Sequence, residues 1–299
     1  MRILFFVFLV SIFNHSMSQQ KPDTLNKYTF DVQGHRGARG LAPENSIPAF
    51  KKALSLGANT LELDVVISKD NQVVVSHEPW MNHQICFTPE GESISAEKEK
   101  ELNLYQMDYQ QIKKYDCGSK AYSDFPDQEK QTTYKPKLSE VIKLVQSFNE
   151  QQNEAVHLNI EIKSLPEGDK VFHPLPKKFV DLVVSALETS KFPKENYNLQ
   201  SFDFRILKAI HQSYPGIRLA ALVYQSDMET SLNKLEFKPD IYSPYFPLVN
   251  PELIKTAHQK NMKVIPWTVN SREKMLYLLE LGVDGIITDY PDIAMRLKK

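Results

Sequence analysis

The chain has 299 residues, of which 41% are apolar, enough to bury a sizeable core within one large domain or two small ones. Its formal net charge of −1 provides no broad positive field, so binding to nucleic acid is not expected. Any affinity for an anion must therefore come from a local site.

Residues 1–18 have the form of a secretory signal peptide. Arg2 gives a positive start, an apolar run extends from Ile3 to Phe13, and the small residues Ser16 and Ser18 precede the expected cut. The run is shorter than a bilayer-spanning helix needs, which argues against a retained membrane anchor. We therefore expect an exported protein, periplasmic or secreted, with no stable membrane insertion after the signal is removed.

The stretch from Gly34 to Glu78 concentrates ionisable residues. His35 and Arg36 follow a short apolar strand, and the glycines after them allow a tight loop that can approach an anion. Asn45 and Ser46 are typical N-cap residues, so a helix is expected to start there.

A strand with the sequence LELDVV follows this helix. Because side chains alternate along a strand, Glu62 and Asp64 should share one face, while the leucines share the other. A second short apolar run precedes His77, so this histidine is expected at the end of a strand.

The segment from Pro79 to Pro136 is polar and shows no βα period, which predicts an insertion between strands 2 and 3 of the fold. It contains both cysteines of the chain, Cys86 and Cys117. Two cysteines in an exported chain often form a disulfide, although two unpaired thiols remain an alternative. A lid that shapes the substrate site and a peripheral stabilising subdomain are both compatible with this composition.

From residue 156 onward, strands and helices alternate regularly. The six expected strands are VHLNIEIK, NYNLQSF, IRLAALVY, DIYSPY, MKVIPWTV and GIITDYP. With the strands before His35 and at LELDVV they make eight, which predicts an α/β fold of the (β/α)₈ TIM barrel type over residues 28–299. A doubly wound open sheet is the alternative, but no GxGxxG or P-loop pattern supports its usual nucleotide site.

Four motifs occur in a fixed order: HRG at His35, PEN before the first helix, ExD at Glu62 and Asp64, and a histidine after a strand at His77. In this combination the chain resembles the glycerophosphodiester phosphodiesterase family, whose active site lies in a TIM barrel. The ending GVDGIITDYP also resembles the family and is expected to close the barrel.

The resemblance implies that Glu62, Asp64 and Glu161 bind a metal. Three carboxylates in one barrel interior repel one another unless a cation lies between them, and hard oxygen ligands favour one divalent cation, Mg²⁺ or Ca²⁺, over Zn²⁺. The alternative is a buried ion network in which these acids pair with Lys163 and Arg36.

His35 and His77 are the acid and base candidates, because imidazole exchanges protons near neutral pH. The resemblance implies that the 2-hydroxyl of a small-molecule glycerophosphodiester attacks phosphorus with one histidine as base, while the other protonates the leaving alcohol. Water then releases glycerol 3-phosphate. We expect His35 to be the base and His77 the acid.

The remaining expected site residues bind substrate. Arg36 and Lys163 would meet the phosphate, and Trp267 resembles the family's tryptophan near the glycerol moiety. Lys163 as a Schiff-base nucleophile is the rival role, which requires a carbonyl substrate. Many family members have Asp where this chain has Glu78, so the reach of that carboxylate towards the second histidine is in question.

Two other functions stay open. A lipid phosphodiesterase of the phospholipase D or phosphoinositide type would need the insertion to engage a membrane, and its sequence offers no amphipathic basic helix. A non-catalytic binding barrel would be expected to lack at least one of the two histidines or three carboxylates, and all five are present.

Overall fold

The computed structural model describes residues 28–152 and 155–299; the predicted signal, residues 1–18, lies outside them. The strands are β1 (Asp31–Gly34), β2 (Thr60–Ile67), β3 (Val73–Val75), β4 (His157–Ile162), β5 (Tyr197–Ser201), β6 (Arg218–Val223), β7 (Ile241–Pro244), β8 (Lys263–Val264) and β9 (Gly285–Thr288). The α-helices are α1 (Ile47–Ser55), α2 (Tyr109–Ile112), α3 (Leu138–Asn149), α4 (Pro176–Thr189), α5 (Phe204–Ser213), α6 (Met228–Leu235), α7 (Pro251–Gln259), α8 (Arg272–Leu281) and α9 (Pro291–Met295).

Eight parallel strands form the sheet in the order β8-β7-β6-β5-β4-β2-β1-β9. The amide of Asp284 donates to the carbonyl of Val264 at 2.9 Å, and the amide of Ile287 donates to Pro266 at 3.0 Å. These bonds join β9 to the β8 segment, so the sheet is a nearly closed barrel. The TIM-barrel prediction is confirmed, and the open-sheet alternative is wrong.

The strand predicted from MKVIPWTV is shorter than expected, because regular pairing covers only Lys263–Val264. Pro266 has no amide hydrogen to donate to the neighbouring strand. Trp267 nevertheless pairs with Tyr245 in an isolated parallel bridge, so it stays at the barrel wall.

The predicted alternation along β2 is observed. Leu61, Leu63 and Val65 belong to the apolar core between the barrel and its helices. Glu62 and Asp64 face the other way and are buried inside the barrel. β3 pairs antiparallel with the end of β2 and ends two residues before His77.

The insertion builds a small apolar core against Val66 of β2 and Val74 of β3, to which Cys86 and Cys117 contribute. The two cysteines form a disulfide with an S–S distance of 2.07 Å, which confirms the predicted pairing. Across the described residues, no helix combines the length and apolar character that crossing a bilayer requires.

The insertion packs against loops at the C-terminal end of the barrel on two sides. The Asn103 side-chain amide donates to the carbonyl of Val171, after β4, at 2.8 Å. On the other side, the Phe125 ring lies 6.3 Å from the Tyr290 ring, after β9. The segment therefore borders the mouth of the barrel, a position compatible with either a lid or a stabilising subdomain.

Candidate active site

Three carboxylates meet inside the C-terminal end of the barrel. β2 supplies Glu62 and Asp64, β4 supplies Glu161, and the register of the two strands places Asp64 beside Glu161. One oxygen of each carboxylate lies within 4.8 Å of the others, and all three residues are buried. The structure therefore brings together the three predicted metal ligands.

Glu62 has no cationic side chain as a hydrogen-bond partner among the described residues. Its Oε2 accepts from the backbone amide of Arg36 at 2.9 Å, and its Oε1 accepts from the side-chain amide of Gln200 at 2.9 Å. Burial, and then the negative charge of Asp64, raises the pKa of Glu62 well above its usual value. An ionised Glu62 therefore requires a further positive charge at this position.

Asp64 and Glu161 each lie beside a cation. The Nζ of Lys163 is 2.8 Å from Glu161 Oε1 and 3.8 Å from Asp64 Oδ1, and the Nε of Arg36 is 3.4 Å from Asp64 Oδ2. Burial raises the pKa of Glu161 to about 7 although Lys163 opposes this. The pKa of Asp64 is held well below its usual range, because the charges of His77, Lys163 and Arg36 outweigh its burial.

The ion network considered as an alternative is thus present only in part: Arg36 and Lys163 form ion pairs with Asp64 and Glu161, whereas Arg36 offsets the charge of Glu62 only in part. A set of three carboxylate oxygens is the donor chemistry that Mg²⁺ or Ca²⁺ prefers. The residues present fit such an ion.

Lys163 is held in its charged form. Burial would lower its pKa, but the adjacent carboxylates of Glu161 and Asp64 raise the pKa above its usual value. A Schiff-base nucleophile needs a neutral amine, so this environment favours the phosphate-binding role.

A layer of amides beneath the carboxylates fills the barrel. Asn159 forms hydrogen bonds to three other members of this layer, and Gln200 connects the layer to Glu62 by donating to its carboxylate. The bonds run from Asn159 Nδ2 to Gln33 Oε1 (2.8 Å) and Gln200 Oε1 (3.0 Å), and from Asn198 Nδ2 to Asn159 Oδ1 (2.6 Å). The Glu62 carboxylate is therefore oriented from below as well as from the loop after β1.

His35 follows β1 and lies against the end of β9. Its Nδ1 is 2.6 Å from Asp289 Oδ1, and the Asn270 amide donates to Asp289 Oδ2 at 2.7 Å. Although Asp289 is buried, the charge of His35 and its hydrogen bond lower the pKa of this carboxyl. Asp289 therefore orients the imidazole and leaves Nε2 as its nitrogen for proton transfer.

His77 has a matching arrangement with Glu78, whose Oε1 is 2.6 Å from His77 Nδ1. The longer side chain of Glu therefore reaches the imidazole, and the departure from the family pattern does not remove this contact. Burial, then the charges of Arg36 and Lys163, lowers the pKa of His77. Its protonated form is thus a stronger acid and is less populated at neutral pH.

Arg36 is fixed by both its backbone and its side chain. It has a positive φ of 49°, which directs its amide to Glu62. Its Nη1 donates to Glu44 Oε1 at 2.8 Å. Burial opposes its charge, but Glu44 and Asp64 raise the pKa of Arg36 further above its usual value.

Trp267 is half-buried at the mouth, and its Nε1 donates to the carbonyl of Ser243 at 2.9 Å. Its ring centroid lies 5.2 Å from that of Phe202 and 5.5 Å from that of Tyr245. The structure gives it an aromatic wall beside the site; its contact with glycerol stays a prediction.

The sequence interpretation missed several residues that support the site. Asn45, expected as an N-cap with Ser46, instead has a φ of 53° and donates from its side chain to Asp64 Oδ2 at 2.8 Å, while Ser46 alone caps α1. Glu44, Asn45 and Asp289 lay inside the quoted motifs PEN and TDYP, which was the available signal. Asn270 follows Trp267 after a predicted strand, a position at which a polar side chain is expected to face the site. Lys135 had no such signal; its ammonium donates to Ser76 Oγ at 2.9 Å beside Glu78.

Comparison with known proteins identifies related sequences and folds. The model of the glycerophosphoryl diester phosphodiesterase family matches residues 35–293. A glycerophosphodiester phosphodiesterase from Caldanaerobacter subterraneus subsp. tengcongensis is 31% identical, over 89% of this chain and 96% of the relative.

Two solved structures share the fold. A Silicibacter pomeroyi DSS-3 protein assigned to the glycerophosphoryl diester phosphodiesterases has a TM-score of 0.80 at 28% identity, covering 91% of this chain and 97% of its own. An Oleispira antarctica phosphodiesterase, solved with the product sn-glycerol-3-phosphate, has a TM-score of 0.69 at 22% identity. The match covers 88% of this chain and 94% of the Oleispira chain.

Proposed function

The chain belongs to the glycerophosphoryl diester phosphodiesterase family, and we propose that it hydrolyses glycerophosphodiesters to an alcohol and sn-glycerol 3-phosphate with two histidines and one divalent cation. The observation that carries the proposal is the group of three buried carboxylates with Arg36 and Lys163 beside it, between two histidine–carboxylate pairs.

Glu62, Asp64 and Glu161 would hold the ion, either Mg²⁺ or Ca²⁺. When bound, it would neutralise charge on the phosphoryl oxygens. Arg36 and Lys163 would orient the phosphate by charge-assisted hydrogen bonds, and Trp267 would pack against the glycerol carbons.

The two histidines would move the protons. His35 Nε2 would take the proton of the 2-hydroxyl as its oxygen attacks phosphorus, while His77 Nε2 would protonate the departing alcohol oxygen. This step forms a cyclic phosphate and breaks the ester bond. In the second step a water oxygen would attack phosphorus while His77 takes its proton. The bond from phosphorus to the 2-oxygen would then break as His35 returns a proton to that oxygen, which gives sn-glycerol 3-phosphate.

The deciding assay measures release of glycerol 3-phosphate from several glycerophosphodiesters, with and without a chelator. Chelation should abolish turnover, and added Mg²⁺ or Ca²⁺ should restore it. Glu62→Gln should remove both the activity and calorimetric ion binding while leaving the thermal midpoint of the ion-free protein close to that of wild type. Full turnover by a metal-free sample would contradict the metal requirement.

A second candidate, hydrolysis of an acylated lipid diester, is favoured by apolar side chains at the mouth. Leu165, Val171 and Leu175, in the loop after β4, are 59%, 48% and 45% exposed, and Tyr224, after β6, is 52% exposed. Exposed apolar groups around a site are typical of a surface that meets an apolar ligand. The same assay should therefore include lysophosphatidylcholine.

If acyl chains bind there, Tyr224→Ser should reduce turnover of lysophosphatidylcholine but not of glycerophosphocholine. Tyr277→Ser is the matched control, because Tyr277 is equally exposed, at 51%, but lies on the outer helix α8. Equal effects of the two variants would reject the acyl site.

A further inference from the structure

Arg39 links the loop after β1 to the insertion. Its Nε lies 2.8 Å from Glu44 Oε2, and its Nη2 donates to the Tyr122 hydroxyl at 3.1 Å. Its guanidinium carbon lies 4.7 Å from the centre of the Phe125 ring, a cation–π distance. Partners from two distant parts of the chain therefore fix one largely buried guanidinium.

Glu44 connects Arg39 to Arg36. Its Oε1 is 2.8 Å from Arg36 Nη1, so each of its two oxygens lies against one arginine. The Glu44 side chain is only 4% exposed, which leaves little water to replace either partner. Arg36 in turn places its Nε 3.4 Å from Asp64. A continuous series of ionic contacts thus runs from Arg39 to the carboxylate cluster.

The backbone of the same loop is held from both sides. The Gln128 side-chain amide donates to the carbonyl of Arg39 at 2.6 Å, and the amide of Glu129 donates to the carbonyl of Leu41 at 3.0 Å. On the opposite side, the amide of Gly40 donates to the carbonyl of Asp289 at 2.9 Å. The insertion segment 122–129 is therefore packed onto the loop that carries His35 and Arg36.

We propose that Arg39 is a positioning residue for the hydrolysis, through which the insertion sets the direction of the Arg36 guanidinium. The inference rests on the proposed function, in which Arg36 meets the substrate phosphate. Without Arg39, Arg36 is the one salt-bridge partner that Glu44 keeps among the described residues, and Glu44 draws it away from the place where charge develops. Misplacement by about 1 Å can cost roughly 100-fold in rate.

The main test is Arg39→Met, which keeps an apolar stem against Phe125 but removes the charge beside Glu44. We expect kcat to fall about 10- to 100-fold, as on loss of a residue that orients a ligand of the reacting group. KM should change much less, because a misdirected Arg36 still attracts the anionic substrate in the ground state. Arg39→Lys restores a charge beside Glu44 and should recover part of kcat.

Lys52→Met is the matched control. The Nζ of Lys52, on α1, lies 2.8 Å from Glu129 Oε1, so this variant also removes an ion pair to the insertion but leaves Glu44 and its arginines untouched. It should keep the kcat of the wild type. Calorimetric titration with glycerol 3-phosphate gives the binding stoichiometry of each variant. This stoichiometry is the fraction of the protein that is folded and able to bind, by which each kcat is corrected.

Should Arg39→Met fold poorly, Tyr122→Phe removes a single hydrogen-bond acceptor and should lower kcat about 2- to 10-fold. An unchanged kcat in both variants, or an equal loss in Lys52→Met, overturns the inference while the wild type remains active. A wild type that hydrolyses no glycerophosphodiester rejects the proposed function itself, and the inference with it.

Discussion

His35 and His77 have the same local geometry, since each has its Nδ1 atom 2.6 Å from a carboxylate oxygen. A carboxylate at Nδ1 fixes the orientation of the ring and its tautomer, as in catalytic triads. Because this geometry is shared, the positions of the two rings relative to the leaving group decide which is the acid and which the base.

His77→Ala should slow hydrolysis of glycerophosphocholine by about 10²- to 10⁴-fold, the usual contribution of a general acid. It should slow a glycerol 3-phosphate nitrophenyl ester far less, because nitrophenolate leaves without a proton. His35→Ala lacks the base and should impair both substrates. Steady-state rates with the two substrates check this, and rescue of His35→Ala instead of His77→Ala by the nitrophenyl ester would reverse the roles.

At the scale of elements, Glu140 joins the insertion to α3. Its Oε2 accepts from the Lys137 amide at 2.9 Å and from the Tyr109 hydroxyl at 2.7 Å, and its Oε1 accepts from the Tyr134 hydroxyl at 2.8 Å. Burial opposes ionisation, but these hydrogen bonds lower the pKa of Glu140 below 4.5. The charged carboxylate therefore stabilises the folded state.

Glu140→Gln should lower the free energy of unfolding at pH 7 by about 1 kcal/mol. Because the folded-state pKa is below the unfolded value of 4.5, the contribution is fully present above pH 4.5 and is lost as the pH falls through the folded value. The difference in free energy of unfolding between variant and wild type should therefore become smaller below pH 4.5. Urea unfolding at several pH values measures it.

Glu188→Gln, at an exposed site on α4, is the control and should show no such gap. A gap for Glu140→Gln that stays constant down to the acid-unfolding pH would contradict the charged role.

At the scale of the whole molecule, the disulfide indicates the compartment in which the protein is found. Cys86 and Cys117 are buried in the core of the insertion, and such bonds persist in oxidising compartments. We therefore retain the proposal, made from residues 1–18, that the protein is exported.

Protein recovered from the exported fraction should begin near Gln19 and show no free thiol when denatured without reductant. Its thermal midpoint should exceed that of reduced protein, because a closed loop of about 30 residues contributes roughly 3.7 kcal/mol on the chain-entropy account. Mass spectrometry and thiol titration check this. An intact N-terminus would contradict export, and two titratable thiols would contradict the bond.

The sequence by itself determined the barrel and most of the residues expected at its site. The period of two along β2 assigned Glu62 and Asp64 to one face, and the regular spacing of the later strands predicted eight parallel strands. These features are local, because they depend on how side chains alternate and where elements end. The quoted motifs marked the two histidines, and the family resemblance added Glu161 as the third expected metal ligand.

Only the tertiary structure decided which distant loops meet. Asp289 lies 254 positions from its partner His35, and Arg39 lies 83 positions from Tyr122. Local sequence patterns do not predict contacts between residues so far apart. These contacts arise from closure of the barrel and from the packing of an insertion that has no βα pattern. Closure of the barrel places β9 beside β1. The disulfide-linked insertion packs on the loop after β1 and donates hydrogen bonds to its backbone.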